Sequence, residues 1–171
     1  MTALKPVLAV ASLGLATLLA PPAHAGCMGF GAPGQGEDWH YSLGVSGAYV
    51  HHGGHAGSVN LDLTASYSLF SVTFNGKYLQ EGPRSVFGAQ LELSVYLLVS
   101  LGAGVGILFG DESGPIVHGF VGIPIPLAGE KLSEKLPVLP YLEPYYRVGA
   151  VLHQGWEPLH EVGLFAKVAI L

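Results

Sequence analysis

The sequence predicts an all-β fold, an eight-stranded antiparallel up-and-down transmembrane β-barrel that follows a cleaved signal peptide. Strict alternation is the first observation. In SVNLDLTASYSL (58–69) every second residue, from Val59 to Leu69, is apolar, and a period of two is typical of a strand with one apolar and one polar face. The chain is also 50% hydrophobic and only 11% charged, whereas soluble domains carry about 25% charged residues. Finally, no internal segment offers the roughly 20 consecutive apolar residues of a membrane helix.

The N-terminal 25 residues have the features of an export signal. Lys5 supplies a positive charge, VLAVASLGLATLLA is an apolar stretch, and AHA (23–25) is a small-x-small cleavage site. We therefore expect cleavage after Ala25 and export. Together with the barrel pattern, export predicts the outer membrane of a Gram-negative bacterium as the destination.

Cys27 offers a second interpretation of the export signal. Cleavage after Gly26 would leave Cys27 at the N-terminus for acylation, and a single cysteine forms no internal disulfide. The predicted organisation is a signal peptide (1–25), a flexible glycine-rich segment (26–37) and the barrel domain (38–171).

Clear turn signals separate the first four predicted strands. HHGGHAG is a loop, EGPR is a turn, and the apolar parity flips at SLFS, which predicts a two-residue turn at Leu69–Phe70. Apolar and polar residues alternate along each strand between these turns. The four strands are 38–50, 58–69, 70–80 and 85–97.

The remaining strands follow the same pattern with weaker signals. The connection near Leu98 has no Gly, Pro or Asn, GDESG and HQGWEP are loops, and PLAGEKLSEKLPVLP (126–140) breaks the alternation, with a helical turn or two at GEKLSEKL. The total is even, as in single-chain bacterial outer-membrane barrels. These four strands are 99–109, 115–125, 141–152 and 159–170.

The apolar face is expected to contact lipid. The opposite face is mostly Ser, Gly, Thr, Asn and Tyr, whereas the exterior of a soluble barrel would be rich in Lys and Glu. Aromatic residues also concentrate near strand ends, as in the girdles of membrane barrels. A soluble lipocalin-like periplasmic binding barrel, with the apolar face inside, is the alternative. The girdle residues are Trp39, Tyr41, Tyr67 and Phe70 at one end, and Tyr49, Tyr78, Phe87 and Phe109 at the other.

Charged residues on the polar face are predicted to fill the lumen as a paired network, because a buried unpaired charge costs several kcal/mol. The predicted turn sets Asp62 directly opposite Lys77, and Glu143 falls near Lys167. One acid, Glu92, is left over; the open alternatives are that it is protonated, hydrated, or paired outside the predicted hairpins. The seven lumenal charges are Asp62, Lys77, Glu92, Glu143, Arg147, Glu161 and Lys167.

Histidines form a second group of candidates. His51, His52 and His55 lie in the first loop and His153 lies in the last, and these loops meet because the first and last strands of a closed barrel are neighbours. Imidazoles there suit Zn²⁺, Cu²⁺ or Ni²⁺. Their spacing matches no metal motif, so solvated polar loop residues are the alternative interpretation.

The signal peptide, alternating strands, girdles and charged lumen resemble the small outer-membrane β-barrel proteins, such as the transmembrane domain of OmpA or the OmpX type. The resemblance is architectural and covers about residues 38–171. We expect a structural or adhesin-like envelope role without catalysis or cofactor. Lipid A-modifying enzymes of this architecture need a nucleophile beside a base, and no serine lies next to the outward-facing His51 or His160 in the predicted register. A narrow pore is a further alternative.

The expected partners are outer-membrane lipid, lipopolysaccharide, and a periplasmic or cell-surface protein. Nucleic acid is excluded, because removal of Lys5 with the signal leaves six of the seven basic residues against twelve acidic ones. The first strand should rise from the periplasm, where export delivers the N-terminus. The tight connections at 68–71 and 97–99 then face the periplasm, and the histidine loops face outward from the cell.

Overall fold

The computed structural model is a closed antiparallel β-barrel. It describes residues 39–111, 113–127, 138–152 and 157–170. Among these residues there is no helix long and apolar enough to span a membrane. The strands are β1 (Trp39–His51), β2 (His55–Tyr67), β3 (Phe70–Glu81), β4 (Arg84–Tyr96), β5 (Ser100–Gly110), β6 (Gly114–Gly122), β7 (Ile125–Pro126), β8 (Val138–Val151) and β9 (Glu157–Ile170).

Antiparallel pairing of neighbours continues around the sheet until β9 pairs with β1 and closes the barrel. The short β7 continues the line of β6, since both pair with β8. Pro124, between them, has no N–H to give to a ladder. Ile123 keeps the chain in place by donating its N–H to the Pro144 carbonyl at 3.0 Å. β6 and β7 therefore share one strand position, and the barrel has eight strand positions around its circumference, which we call walls. This confirms the predicted strand number.

Several strand limits differ from the prediction. The first loop is three residues, 52–54, because His51 still belongs to β1 and His55 already belongs to β2. β8 begins at Val138 rather than at residue 141. The predicted helical turns at GEKLSEKL (129–136) lie outside the described residues.

The β2–β3 turn lies one residue earlier than predicted. Ser68 and Leu69 form the turn, with Tyr67 opposite Phe70, and Ser68 has a left-handed φ of 53°. The register therefore differs by two residues. Asp62 lies opposite Asn75, not Lys77, so the predicted pair is wrong, although a shift of two leaves every side chain on its predicted face.

The apolar face points outward. Leu61 and Leu63 expose 53% and 54% of their surface, whereas Asn60 and Asp62 between them expose 0% and 1%. The same alternation runs through the neighbouring strands. The soluble alternative, with the apolar face inside, is wrong.

Exposed aromatic residues lie near both ends of the outward surface, as predicted. We call the end with Trp39 and Ile170 the terminal end, and the end with loop 52–54 the distal end. The Trp39 and Tyr67 rings lie 5.4 Å apart at the terminal end. Near the distal end, Phe87 packs 5.1 Å from the Tyr78 ring.

Candidate functional site

The lumen holds the charged residues that the sequence singled out. All seven predicted lumenal charges are buried, and His118 joins them. Each projects inward because it alternates with the exposed apolar positions of its strand. They form two groups, which we call the distal cluster (Lys77, Glu92, His118, Arg147 and Glu161) and the terminal cluster (Asp62, Glu143 and Lys167).

Glu161 is the centre of the distal cluster. Its carboxylate accepts hydrogen bonds from Lys77 Nζ and, at 3.2 Å, from Arg147 Nη1. The Tyr145 hydroxyl and Asn60 Nδ2 also donate to it, at 2.6 and 3.0 Å. Lys77 reaches Glu161 from β3 across the lumen, since β3 and β9 do not pair.

Glu92, the acid left over in the predicted network, is paired with residues outside the predicted hairpins, which is one of the three outcomes left open for it. Arg147 donates to it through Nη2 while its Nη1 bonds Glu161, so one guanidinium bridges two carboxylates. His118 Nε2 lies 2.9 Å from Glu92 Oε1. Arg147 and His118 come from β8 and β6, and a prediction that considered only neighbouring strands could not find them.

Lys167 holds the terminal cluster together. Its Nζ lies 2.7 Å from Glu143 Oε2 and 3.4 Å from Asp62 Oδ2. Asn75 donates a further hydrogen bond to Asp62, and the Ser100 hydroxyl donates to Glu143. The structure therefore brings Glu143 and Lys167 together as predicted, but gives Asp62 a different partner.

The inward-facing glycines of β5 make room for rings from β6. A Cβ on Gly104 would lie 2.6 Å from His118 Nε2, and a Cβ on Gly102 would overlap the Phe120 ring. The glycine row therefore accommodates side chains rather than leaving an open groove.

An inner apolar layer, which the sequence-based prediction does not include, crosses the lumen at the distal end. Every wall contributes one buried residue. On the outside at this end, His51 and His55 are exposed, so the polarity of the two faces is reversed beyond the apolar band. The signal was visible, because each wall has an apolar residue at an inward position near the distal end. The layer comprises Val50, Ala56, Leu79, Val86, Leu108, Ile116, Val151 and Leu159.

No protein-family model matches this sequence, and no curated protein sequence is significantly similar to it. Among solved structures, the crystal structure of Neisserial surface protein A (NspA) matches with a TM-score of 0.53 and 9% identity, covering 77% of this chain and 96% of that one. The KdgM porin in complex with disordered oligogalacturonate has 14% identity and covers 72% of this chain and 98% of that one, but its TM-score of 0.32 is too low to establish a common fold.

The fold is that of a small outer-membrane β-barrel. Identity of 9% with NspA supports the architecture alone. In an eight-stranded barrel the interior is filled by side chains, and here ion-paired clusters and an apolar layer fill it.

The structure places His51 and His55 of the predicted histidine group together, but not His52. His51 and His55 are cross-strand partners, and His51 is also opposite His160 on β9. His52 contacts β9 instead, and its Nδ1 lies 3.1 Å from the Pro158 carbonyl oxygen. Within the described part of the chain, no three His, Cys, Asp or Glu residues are arranged to hold a metal ion. His153 and Cys27 lie outside the described residues, so metal binding and lipidation stay predictions.

Proposed function

We propose that the protein is exported to the outer membrane of a Gram-negative bacterium and spans it as a sealed barrel with a structural or adhesin-like role. The inverted polarity of the barrel carries this proposal. Leucine, valine and aromatic side chains form the exposed band, and ion-paired charges lie inside. In water the exposed band would be a large aggregation-prone surface. In a bilayer the same band would contact the apolar acyl chains of the lipid.

The filled lumen favours a sealed barrel rather than a narrow pore. Arg147 and Lys167 each contact two carboxylates, and the inner apolar layer lies beyond them at the distal end. An ion would have to displace these pairs and also cross an apolar constriction, both of which are costly. We expect no steady conductance in planar bilayers, and a reproducible single-channel step would favour the pore.

Outer-membrane lipid and lipopolysaccharide are the proposed neighbours of the outward band. The distal loops would lie at the cell surface. The connection between β7 and β8 would lie in the periplasm, where an envelope protein can contact it. No catalytic role is proposed, because the hydrogen-bond partners of His55 and His160 are the Tyr49 and Tyr146 hydroxyls rather than serines.

Cell fractionation followed by gel electrophoresis tests the location. The protein should sediment with the outer membrane, require detergent for extraction, and migrate faster unheated than boiled, because a folded membrane barrel resists dodecyl sulfate. Recovery as a soluble periplasmic protein without detergent would overturn the proposal.

A further inference from the structure

We propose that the β1–β2 hairpin binds a divalent transition-metal ion, such as Zn²⁺, Cu²⁺ or Ni²⁺, between His51 and His55 at the distal rim. This site differs from the four-histidine group predicted from the sequence, since it excludes His52 and His153. It rests on the hairpin geometry and does not depend on which end of the barrel faces the cell surface.

The hairpin places the two imidazoles side by side. His51 is the last residue of β1 and His55 the first of β2, and the two are register partners across a three-residue loop. Side chains of directly opposed residues in an antiparallel pair start about 4.5–5.5 Å apart at Cβ. The two ring centroids lie 5.5 Å apart with the planes tilted by 41°. At this separation, small rotations bring one nitrogen from each ring to the same ion.

Both rings are open to ions from the surrounding water. Val50 and Ala56, their chain neighbours, are buried in the inner apolar layer. Because side chains alternate along a strand, His51 and His55 project outward, and both are exposed. A neutral imidazole is the commonest protein ligand for transition metals of this class.

Tyr49 orients one of the two ligands. Its hydroxyl is hydrogen-bonded to Nδ1 of His55, and its ring packs 5.7 Å from the imidazole. Nε2 of His55 is thereby left to coordinate the ion. Metal-binding histidines commonly have such a partner on the other ring nitrogen, and it fixes both tautomer and orientation. Tyr49 is therefore a positioning residue.

A second pair at the same rim supplies a matched control. Tyr146 and His160 are hydrogen-bonded through Tyr146 OH and Nδ1 at 2.7 Å. They lie on β8 and β9, on the other side of His51. Since the arrangement is chemically the same, Tyr146→Phe removes an equivalent hydroxyl without touching the proposed ligands.

The test uses the folded full-length barrel in detergent, without a histidine tag. Binding of Zn²⁺ is followed by calorimetry, and Cu²⁺ is followed by electron paramagnetic resonance, in which nitrogen hyperfine splitting reports imidazole ligands. Wild type should bind one ion saturably with nitrogen coordination. His51→Ala or His55→Ala should weaken binding at least tenfold, and the hyperfine pattern should lose one nitrogen.

The Tyr49→Phe variant tests whether Tyr49 positions His55 for metal binding or only stabilises the fold. Tyr49→Phe should weaken binding about 10–100-fold, the usual cost of losing such a hydrogen-bond partner, while the number of coordinating nitrogens stays unchanged. Tyr146→Phe and His52→Ala should bind as wild type.

Three results would overturn the proposal: no saturable binding by wild type, wild-type affinity in both His51→Ala and His55→Ala, or a loss caused by His160→Ala but not by His55→Ala. The last result would place the ion between β1 and β9 instead. Heat-modifiable migration of every variant shows separately that the barrel has folded, so failure of the metal site is distinguishable from failure of the barrel.

Discussion

At the scale of single residues, the lumen depends on contacts between strands that are not neighbours. Lys77 on β3 meets Glu161 on β9, and Arg147 on β8 meets Glu92 on β4. These side chains can meet because the barrel is narrow and each extends toward its axis. All four are fully or almost fully buried, so removal of one partner leaves a charge that water cannot solvate well.

A double-mutant cycle between Lys77 and Glu161 tests this pairing. Each single change to alanine should lower the free energy of unfolding by about 3–5 kcal/mol, as for one partner of a broken buried pair. The double variant should lose less than the sum, with a coupling of about 0.5–3 kcal/mol. Reversible urea unfolding in lipid vesicles measures these values.

The control cycle pairs Lys77 with Asp62, which belongs to the terminal cluster and contacts Lys167 instead. Those two changes should be nearly additive. Strong coupling there, with none between Lys77 and Glu161, would restore the pairing predicted from the sequence and contradict the observed register.

Gly104 provides a second prediction at this scale. Gly104→Ala should destabilise the barrel by about 1–3 kcal/mol through overpacking, because the new Cβ would lie 2.6 Å from His118 Nε2 and 2.7 Å from the Leu91 carbonyl oxygen. Gly47 is on the outward face, and a Cβ added there would meet no atom within 4 Å, so Gly47→Ala is the matched control. Its unfolding midpoint should stay close to wild type, and equal losses for both variants would argue against a packed lumen.

At the scale of the strands, the face of each residue was predictable but the register was not. Alternation assigns a face to each residue of β2, and the structure confirms this for Leu61 and Asp62. A shift of two residues leaves that pattern unchanged. The pattern therefore could not distinguish a turn at Ser68–Leu69 from one at Leu69–Phe70, and the predicted partner of Asp62 was wrong.

The same limit explains which parts of the site were found. Glu143 and Lys167 lie on adjacent strands, so their proximity followed from a single hairpin. The bridge from Arg147 to Glu92 depends on the tilt and stagger of the eight strand positions around the barrel axis. A local sequence pattern does not predict that tilt and stagger. The inner apolar layer, by contrast, was predictable in principle, because each wall carries an apolar residue at an inward position near the distal end.

Ser68 sets the β2–β3 register, and its conformation gives a prediction for the hairpin. A φ of 53° is left-handed, which costs residues other than glycine roughly 1–2 kcal/mol. Asparagine tolerates this region well and β-branched residues do not. Ser68→Asn should therefore raise the urea midpoint, whereas Ser68→Val should lower stability by about 1–2 kcal/mol. The opposite order would show that Ser68 does not occupy this conformation in the folded protein.

At the scale of the whole molecule, the proposed export implies one orientation in the membrane. Export would deliver the N-terminus to the periplasm, and an even number of walls would return the chain to the same side. With Cys27→Ser as background, Asp111→Cys at the distal end should react with an impermeant maleimide on intact cells. Leu98→Cys should not, although Leu98 is 76% exposed, because its turn lies at the terminal end. The reverse labelling would invert the topology.

The central claim is that the apolar face contacts lipid and the polar face lines the lumen. Spin-label scanning of β2 in vesicles tests it most directly, in the Cys27→Ser background. Labels at Leu63 and Ala65 should collide frequently with oxygen, which concentrates in the bilayer, and rarely with a water-soluble nickel chelate. Labels at Thr64 and Ser66 should be shielded from oxygen, so that oxygen accessibility alternates with a period of two. Oxygen maxima at Thr64 and Ser66, or free access of the nickel chelate to Leu63 and Ala65, would contradict the membrane barrel.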